Sequence, residues 1–188
     1  EEIMFRRGLL MAFLCLSCQA VVAQKHVHGD GQLLIAQDQQ QWQFQFILPA
    51  ADLLGFEYVP ESAEQKEKLK SIVSKIENVE EMIRLPRYCT LVSMSHSLFN
   101  LNPQSLESTH SHANKHAITA HVEQGHLREH LDIKITYIFK CKNTPDSAVA
   151  TVMEWASSLH VLNAQWITNE QQGAVKLKSS SAVIRFGQ

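Results

Sequence analysis

The strongest strand pattern in the sequence is LDIKITYIFKC, at residues 131–141. Its polar residues Asp132, Lys134 and Thr136 alternate with apolar ones. Because the side chains of a β-strand point alternately to the two faces of a sheet, this pattern predicts a strand with one buried and one solvated face. The residues expected on the buried face are Leu131, Ile133, Ile135, Tyr137, Phe139 and Cys141. A chain with such a strand has to cover one face of its sheet with other elements.

Other segments also have the two-residue period of a strand. QWQFQFILP, at residues 41–49, follows GQLLIAQ, at residues 31–37, and the short connection DQQ predicts an antiparallel hairpin. YCTLVSMS, at residues 88–95, predicts a further strand. The C-terminal part, residues 163–186, predicts two or three short strands with a turn at Gly173.

Two segments have the period of a helix. Ser62 and Gln65 form a capping box, which predicts a helix over about 63–84 that ends before Pro86. Its apolar positions are Leu69, Ile72, Val73, Ile76, Val79 and Ile83. A second helix is predicted after Thr144, its N-cap, with Pro145 at the first helical position. Its buried stripe would consist of Val149, Val152, Met153, Ala156 and Leu159.

These elements follow one another in the order ββ-α-ββ-α-ββ(β), with the last strand optional. The order is typical of an α+β protein with antiparallel sheet and two main helices. Residues 24–188 have the length of a single domain, which would carry a His-rich insertion at about 105–130. We expect the insertion to form a flexible loop between two central strands.

Residues 1–23 have the features of a secretory signal peptide. Arg6 and Arg7 precede the apolar run GLLMAFLCLSCQAVVA, which ends in small residues. Cleavage is expected after Ala23 and would deliver residues 24–188 to the periplasm without a membrane anchor. The alternatives are a membrane anchor, for which the run is short, and a lipid anchor on Cys18, whose preceding residues fit the required motif poorly. The formal net charge of −2 does not indicate a nucleic-acid-binding surface.

Two of the four cysteines, Cys89 and Cys141, lie outside the predicted signal peptide. In an oxidising compartment an isolated pair is most simply a disulfide bond. The loop that it closes would contain the whole His-rich stretch, and the chain-entropy model gives about 4 kcal/mol of stabilisation for a loop of that size. The alternative is a pair of thiolate metal ligands, for which periplasmic oxidants would compete.

Six of the ten histidines lie in the stretch STHSHANKHAITAHVEQGHLREH, at residues 108–130. They are His110, His112, His116, His121, His126 and His130. Neutral imidazole is a ligand that suits zinc, copper and nickel, and histidines four apart face one way on a helix. The stretch therefore predicts binding of divalent metal ions, with zinc as the first choice. The alternative is a solvated loop whose histidines bind nothing.

A second candidate metal site is the motif HVHG, at residues 26–29. On an extended segment His26 and His28 project to the same side and can bind one ion. His130 is the expected third ligand, because it stands at the start of the 131–141 strand. Glu57 in GFEY and Asp132 are candidate oxygen ligands, although a polar turn and a hydrogen-bonded loop carboxylate would also explain these motifs. No role is assigned to the two isolated histidines, His96 and His160.

Four pieces of the sequence resemble the bacterial periplasmic zinc-binding protein family of the zinc-regulated ZrgA type: HVHG, LLGFEYVP, Cys89 and EHLDIKITYIFKC. The likeness spans most of residues 24–188. It implies zinc capture in the bacterial envelope and support of zinc import, with His26, His28, His130 and the cluster between as ligands. This sequence departs from its relatives because Ser, Ala, Asn and Lys separate its clustered histidines, where relatives often carry dense His-Asp alternation. The difference predicts fewer ions per chain.

Together these features predict a periplasmic zinc-binding protein that is not an enzyme and that delivers zinc to an importer or to the importer's binding protein. One alternative is an envelope interaction domain that responds to pH, since histidine titrates at about pH 5 to 8. Another is a zinc metallohydrolase with Glu129 beside His130. HLREH is not HExxH, however, and no third downstream ligand is evident.

Overall fold

A computed structural model describes residues 28–98, 131–178 and 182–186. The predicted signal peptide, at residues 1–23, and the predicted His-rich loop, at about 105–130, lie outside the described residues. The described part confirms the α+β class, because it contains one large sheet, a small second sheet and four helices.

The strands are β1 Asp30–Asp38, β2 Gln41–Pro49, β3 Cys89–His96, β4 Asp132–Cys141, β5 Ser147–Val149, β6 Val161–Ile167, β7 Gln172–Leu177 and β8 Val183–Arg185. The main sheet has six of them in the order β3-β4-β2-β1-β6-β7, and β5 pairs with β8. The predicted hairpin of β1 and β2 is confirmed, with Leu33 opposite Phe46 in an antiparallel register.

The helices of the described residues are α1 Ala50–Leu54, α2 Ala63–Glu77, α3 Val79–Met82 and α4 Val152–Trp155. The predicted capping box is present at the start of α2, where the backbone N–H of Gln65 donates to Oγ of Ser62 at 3.1 Å. The predicted helix over 63–84 is instead divided at Asn78, which has extended backbone angles and separates α2 from α3. Among the described residues, no helix has both the length and the apolar character that crossing a bilayer requires.

The predicted second main helix is wrong. The segment after Thr144 forms β5 and then only the four residues of α4. In β5 the buried Ala148 lies opposite Ile184, and Val149 exchanges two backbone hydrogen bonds with Arg84, at 2.8 and 3.0 Å. Pairing with distant parts of the chain has therefore outweighed the helical spacing of the apolar residues, as tertiary contacts often do. The predicted element order is wrong in the same place, since a strand precedes α4.

One strand pair departs from the predicted antiparallel sheet. β1 and β6 run parallel, with Asp30 opposite Val161 and Ile35 opposite Trp166. Parallel strands need a long crossover connection, and here the chain forms all the elements from β2 to α4 between them. The start of β6 consequently lies beside the start of β1.

The core covers one face of the main sheet. The residues that alternate inward on the neighbouring strands β2 and β4 are buried: Trp42, Phe44, Phe46, Leu48, Ile133, Ile135, Tyr137 and Phe139. α2 lies against this face, because its buried Ile76 accepts a hydrogen bond of 2.6 Å from the hydroxyl of Tyr137. Burial of a side chain of this size contributes about 1.5–3 kcal/mol, so these residues dominate the stability of the fold.

The predicted disulfide is confirmed. Cys89, at the start of β3, lies opposite Cys141, at the end of β4, and the two sulfurs are bonded. The bond spans 52 positions of the sequence, so the loop that it closes includes the whole segment between β3 and β4. Because both sulfurs are oxidised, neither is a thiolate that could bind a metal ion.

Candidate metal site at one edge of the sheet

Four strand ends lie together at one edge of the main sheet. β1 begins at Asp30 and β6 begins at Val161, and these residues are opposite each other in the parallel pair. β2 ends at Pro49, which is opposite Asp132 at the start of β4. Since β1 and β2 are antiparallel neighbours, the start of β1 lies beside the end of β2. We call this region the strand-start edge.

The HVHG motif leads into β1 at the strand-start edge. The backbone N–H of Gly29 donates a hydrogen bond of 2.6 Å to Oδ2 of Asp52, which lies in α1. The carbonyl of Gly29 accepts from the backbone N–H groups of His160, at 2.8 Å, and Val161, at 2.9 Å. Gly29 has φ +84°, in the left-handed region that glycine adopts most readily. The turn after His28 is therefore held from two sides.

His160 packs directly on this turn. A Cβ atom added to Gly29 would lie 2.9 Å from Cδ2 of the His160 imidazole, so the ring covers the space that a side chain would occupy. His160 is nevertheless exposed to solvent. The sequence contained no local signal for this contact, because it depends on the parallel pairing of β1 and β6. The sequence alone assigns no role to His160.

The start of β4 is joined to the end of β2 at the same edge. The backbone N–H of Ala50 donates to the carbonyl of Leu131 at 2.8 Å, and Asp132 is half-buried. His130, the predicted third ligand, precedes Leu131 in the sequence and lies outside the described residues. The prediction that a well-positioned strand follows His130 agrees with the observed start of β4 at Asp132.

Glu57, the other predicted oxygen ligand, lies between α1 and α2 and is half-buried. It is flanked by the buried Phe56 and by Tyr58, which is 55% exposed, and the two rings lie 5.6 Å apart. No three side chains of His, Cys, Asp or Glu come together as a possible metal site within residues 28–98, 131–178 and 182–186. Those residues therefore do not join Glu57, Asp132 and His28 into a complete site.

His96 ends β3, opposite Ile135 of β4. Burial lowers the pKa of His96 from its usual 6.5, and the nearby carboxylate of Glu77 opposes this effect without overcoming it. Its imidazole is consequently neutral over a wider range of pH than that of an exposed histidine.

The remaining predicted ligands lie outside the described residues, and for them the predictions stand. They are His26, His110, His112, His116, His121, His126 and His130.

Comparison with known proteins identifies the group to which this chain is related. The model of the ZrgA family of zinc uptake proteins matches residues 25–186. The chain belongs to this family. No curated protein sequence matches the chain.

Membership of the ZrgA family gives the chain a role in zinc uptake, as the resemblance implied. The matched range includes the whole HVHG motif, the six clustered histidines and both bonded cysteines. The family is one of zinc uptake proteins and not of known enzymes. Zinc is therefore the metal with which to test the candidate ligands, since proteins of this family take part in zinc uptake.

Proposed function

We propose that this protein captures zinc in the periplasm with its histidines and passes it on for import. One structural observation supports the proposal most directly. The start of β1, which follows HVHG, and the start of β4, which follows His130, lie at the same edge of the main sheet. Two candidate ligand groups that are far apart in sequence thus adjoin β1 and β4, the two strands that flank β2.

The proposed zinc ligands form two groups. The first group is His26, His28 and His130, which precede β1 and β4 in the sequence, and its proposed oxygen ligand is Glu57 or Asp132. The second group comprises the other five of the six clustered histidines, His110, His112, His116, His121 and His126. Zinc is typically bound by four nitrogen, oxygen or sulfur ligands, and here the bonded cysteines leave nitrogen and oxygen.

The two groups differ in how they are attached to the fold. The first adjoins strands whose backbones are hydrogen-bonded to their neighbours, which favours a defined geometry. The second belongs to the segment between β3 and β4. The disulfide joins the start of β3 to the end of β4. We assign tight capture to the first group and additional capacity to the second.

The proposed location is the periplasm, reached by means of the signal peptide at residues 1–23 and cleavage after Ala23. The proposed recipient of the zinc is an importer or its binding protein. Imidazole binds metal only when it is neutral, and its unperturbed pKa is about 6.5, so protonation would release the ion.

Isothermal titration calorimetry with zinc tests this function. We expect binding at about pH 7.5 and a steep loss of affinity at about pH 5.5, below the unperturbed pKa of histidine. Replacing His110, His112, His116 and His121 with alanine should lower the number of ions bound per chain. The matched control replaces four other polar residues of the same stretch, Ser108, Ser111, Asn114 and Thr119, and should leave that number unchanged. Absence of zinc binding at the higher pH, or equal affinity at both, would show that the proposal is wrong.

The lowered pKa of His96 favours a second candidate, an envelope domain that responds to pH. In that case the metal-free protein would change its fold or its oligomeric state between about pH 7.5 and 5.5. Analytical ultracentrifugation and circular dichroism in the presence of a chelator separate the two functions, because zinc capture requires no such change.

A further inference from the structure

We propose that His160 is a zinc ligand at the strand-start edge and binds the same ion as His28. The inference rests on the proposed function, to which it adds a residue from a distant part of the sequence. The spacing of histidines in the sequence does not predict His160 as a ligand, because no other histidine lies near it.

The contact between His160 and the HVHG turn supplies the proximity. The imidazole of His160 occupies the space next to the Cα atom of Gly29, where a Cβ would be only 2.9 Å from its Cδ2. Consecutive Cα atoms are about 3.8 Å apart, so the Cα atom of His28 lies at that distance from the Cα atom of Gly29, against which this ring packs. The proposal requires the His28 imidazole to turn toward that of His160, so that each binds the ion through a Zn–N bond of about 2.0–2.1 Å.

The backbone on both sides of the contact is held in place. His160 donates its own N–H to the carbonyl of Gly29 at 2.8 Å, and β6 continues from Val161 in register with β1. Asp52 accepts the N–H of Gly29 from the other side at 2.6 Å. A metal site gains affinity when its ligands are positioned before the ion arrives, and these hydrogen bonds provide such positioning.

The charges and exposure at this edge also suit a cation. Asp30, Asp52 and Asp132 place carboxylates at or beside the strand starts, and nearby negative charge favours binding of a divalent ion. His28 and His160 are both exposed, so an ion can reach them from solvent. Within the described residues these side chains do not form a set of three. Water would supply the remaining ligands of the ion.

A double-mutant cycle tests whether the two histidines share an ion. The measurements use the variant in which His110, His112, His116 and His121 are alanine, so that the strand-start edge dominates zinc binding. We expect His28→Ala and His160→Ala each to weaken zinc affinity by at least about tenfold, the lower end of the range for lost partners of metal ligands. The double variant should lose little more than either single one, because ligands of one ion are not independent. Gln165→Ala, at an exposed position of the same strand β6, is the matched control and should bind like its parent.

A second measurement avoids substitution at the site. In the unmodified protein labelled with ¹⁵N, addition of zinc should shift a ring nitrogen resonance of His160 along with one of His28. This result is independent of whether the variants fold, which circular dichroism of each variant without zinc would establish.

The possible outcomes separate the inference from the proposed function. If His28→Ala weakens binding while His160→Ala does not, and the His160 ring resonances stay unchanged, the inference is wrong and zinc capture stands. Additive losses in the cycle would mean two separate ions and would also overturn it. If the protein binds zinc only while the cluster is intact, the strand-start edge is not a zinc site. If the unmodified protein binds no zinc, both the inference and the proposed function fail.

Discussion

The backbone N–H of Gly29 donates a hydrogen bond of 2.6 Å to the carboxylate of Asp52. This bond joins the turn after His28 to α1, and we expect it to orient the histidine for zinc binding. Asp52→Ala removes the acceptor and should weaken zinc affinity at the strand-start edge by about 10–100-fold, the usual effect of losing a group that positions a metal ligand. Zinc titration in the background with His110, His112, His116 and His121 replaced by alanine measures the change.

Asp52→Asn is the control for this prediction. Its amide oxygen can still accept the hydrogen bond from Gly29, although without the negative charge. Its affinity should therefore lie between those of the parent and of Asp52→Ala. If the alanine variant has the parent's affinity and is folded, Asp52 does not position the site.

The hydroxyl of Tyr137 provides a second test, of stability. Tyr137 is fully buried and donates to the carbonyl of Ile76, which lies in the last turn of α2 and has no partner within the helix. Burial raises the pKa of Tyr137, so the hydroxyl keeps its proton over the whole working range of pH. Tyr137→Phe should lower the free energy of unfolding by about 1–3 kcal/mol, because a buried acceptor loses its donor. Urea unfolding measures the difference.

Tyr58→Phe is the matched control for the Tyr137 variant. The hydroxyl of Tyr58 also has a partner, Gln65 Nε2 at 2.8 Å, but Tyr58 is 55% exposed and water can replace that contact. We expect a change within about 0.5 kcal/mol. Equal losses in the two variants would mean that the effect of Tyr137 does not come from burial.

The parts of the fold that were predicted correctly are those with a strong local signal. The alternation in 41–49 matches β2, and the capping box marks the observed start of α2. The segment after Thr144 misled the prediction, because Val149, Val152 and Met153 fit a helical stripe equally well. Its real structure depends on β8, more than thirty positions later in the sequence, and no local pattern reports such a partner.

The residues of the candidate site divide in the same way, into those with a local sequence signal and those that depend on pairing with distant parts of the chain. The i, i+2 spacing in HVHG drew attention to His28 from the sequence alone. His160 became a candidate only because β6 lies parallel to β1, and a parallel pair has no short connection that would mark it in the sequence. Asp52 was missed for a similar reason, since its hydrogen bond joins residues 23 positions apart.

Gly173 in β7, the last strand of the main sheet, leaves space for the indole of Trp166 in β6. This packing gives a third prediction. The two residues are opposite each other in β6 and β7, and a Cβ at Gly173 would clash with Cζ2 of the indole. The indole also packs on Phe186, with ring centroids 6.0 Å apart, so it has little freedom to move. Gly173→Ala should cost about 1–3 kcal/mol, as overpacking usually does. In a Trp166→Ala background the same change should cost much less, and an equal cost in both backgrounds would contradict this explanation.

The disulfide between Cys89 and Cys141 supplies a fourth prediction. Replacing both cysteines with serine should lower the free energy of unfolding by about 4 kcal/mol, because the bond closes a loop with a sequence separation of 52. Thermal unfolding with and without a reductant measures the effect, and the reductant should no longer matter in the double variant. Zinc stoichiometry should stay unchanged, since bonded cysteines are not ligands. A loss of zinc in the double serine variant would instead favour the thiolate alternative.

The lowered pKa of His96 leads to a fifth prediction, on how the stability of the metal-free protein depends on pH. Burial lowers the pKa of His96 in the folded state below its usual 6.5, and Glu77 only partly offsets the effect. As the pH falls below about 6.5, the unfolded chain takes up a proton at this position that the folded chain does not, so stability falls with decreasing pH until the lower pKa is passed. His96→Asn removes the titrating group and should flatten this dependence. Melting temperatures between about pH 7.5 and 5.5, measured with a chelator present, compare the two proteins. Parallel curves would show that other groups determine the acid sensitivity, whereas a smaller slope in the variant would assign it to His96.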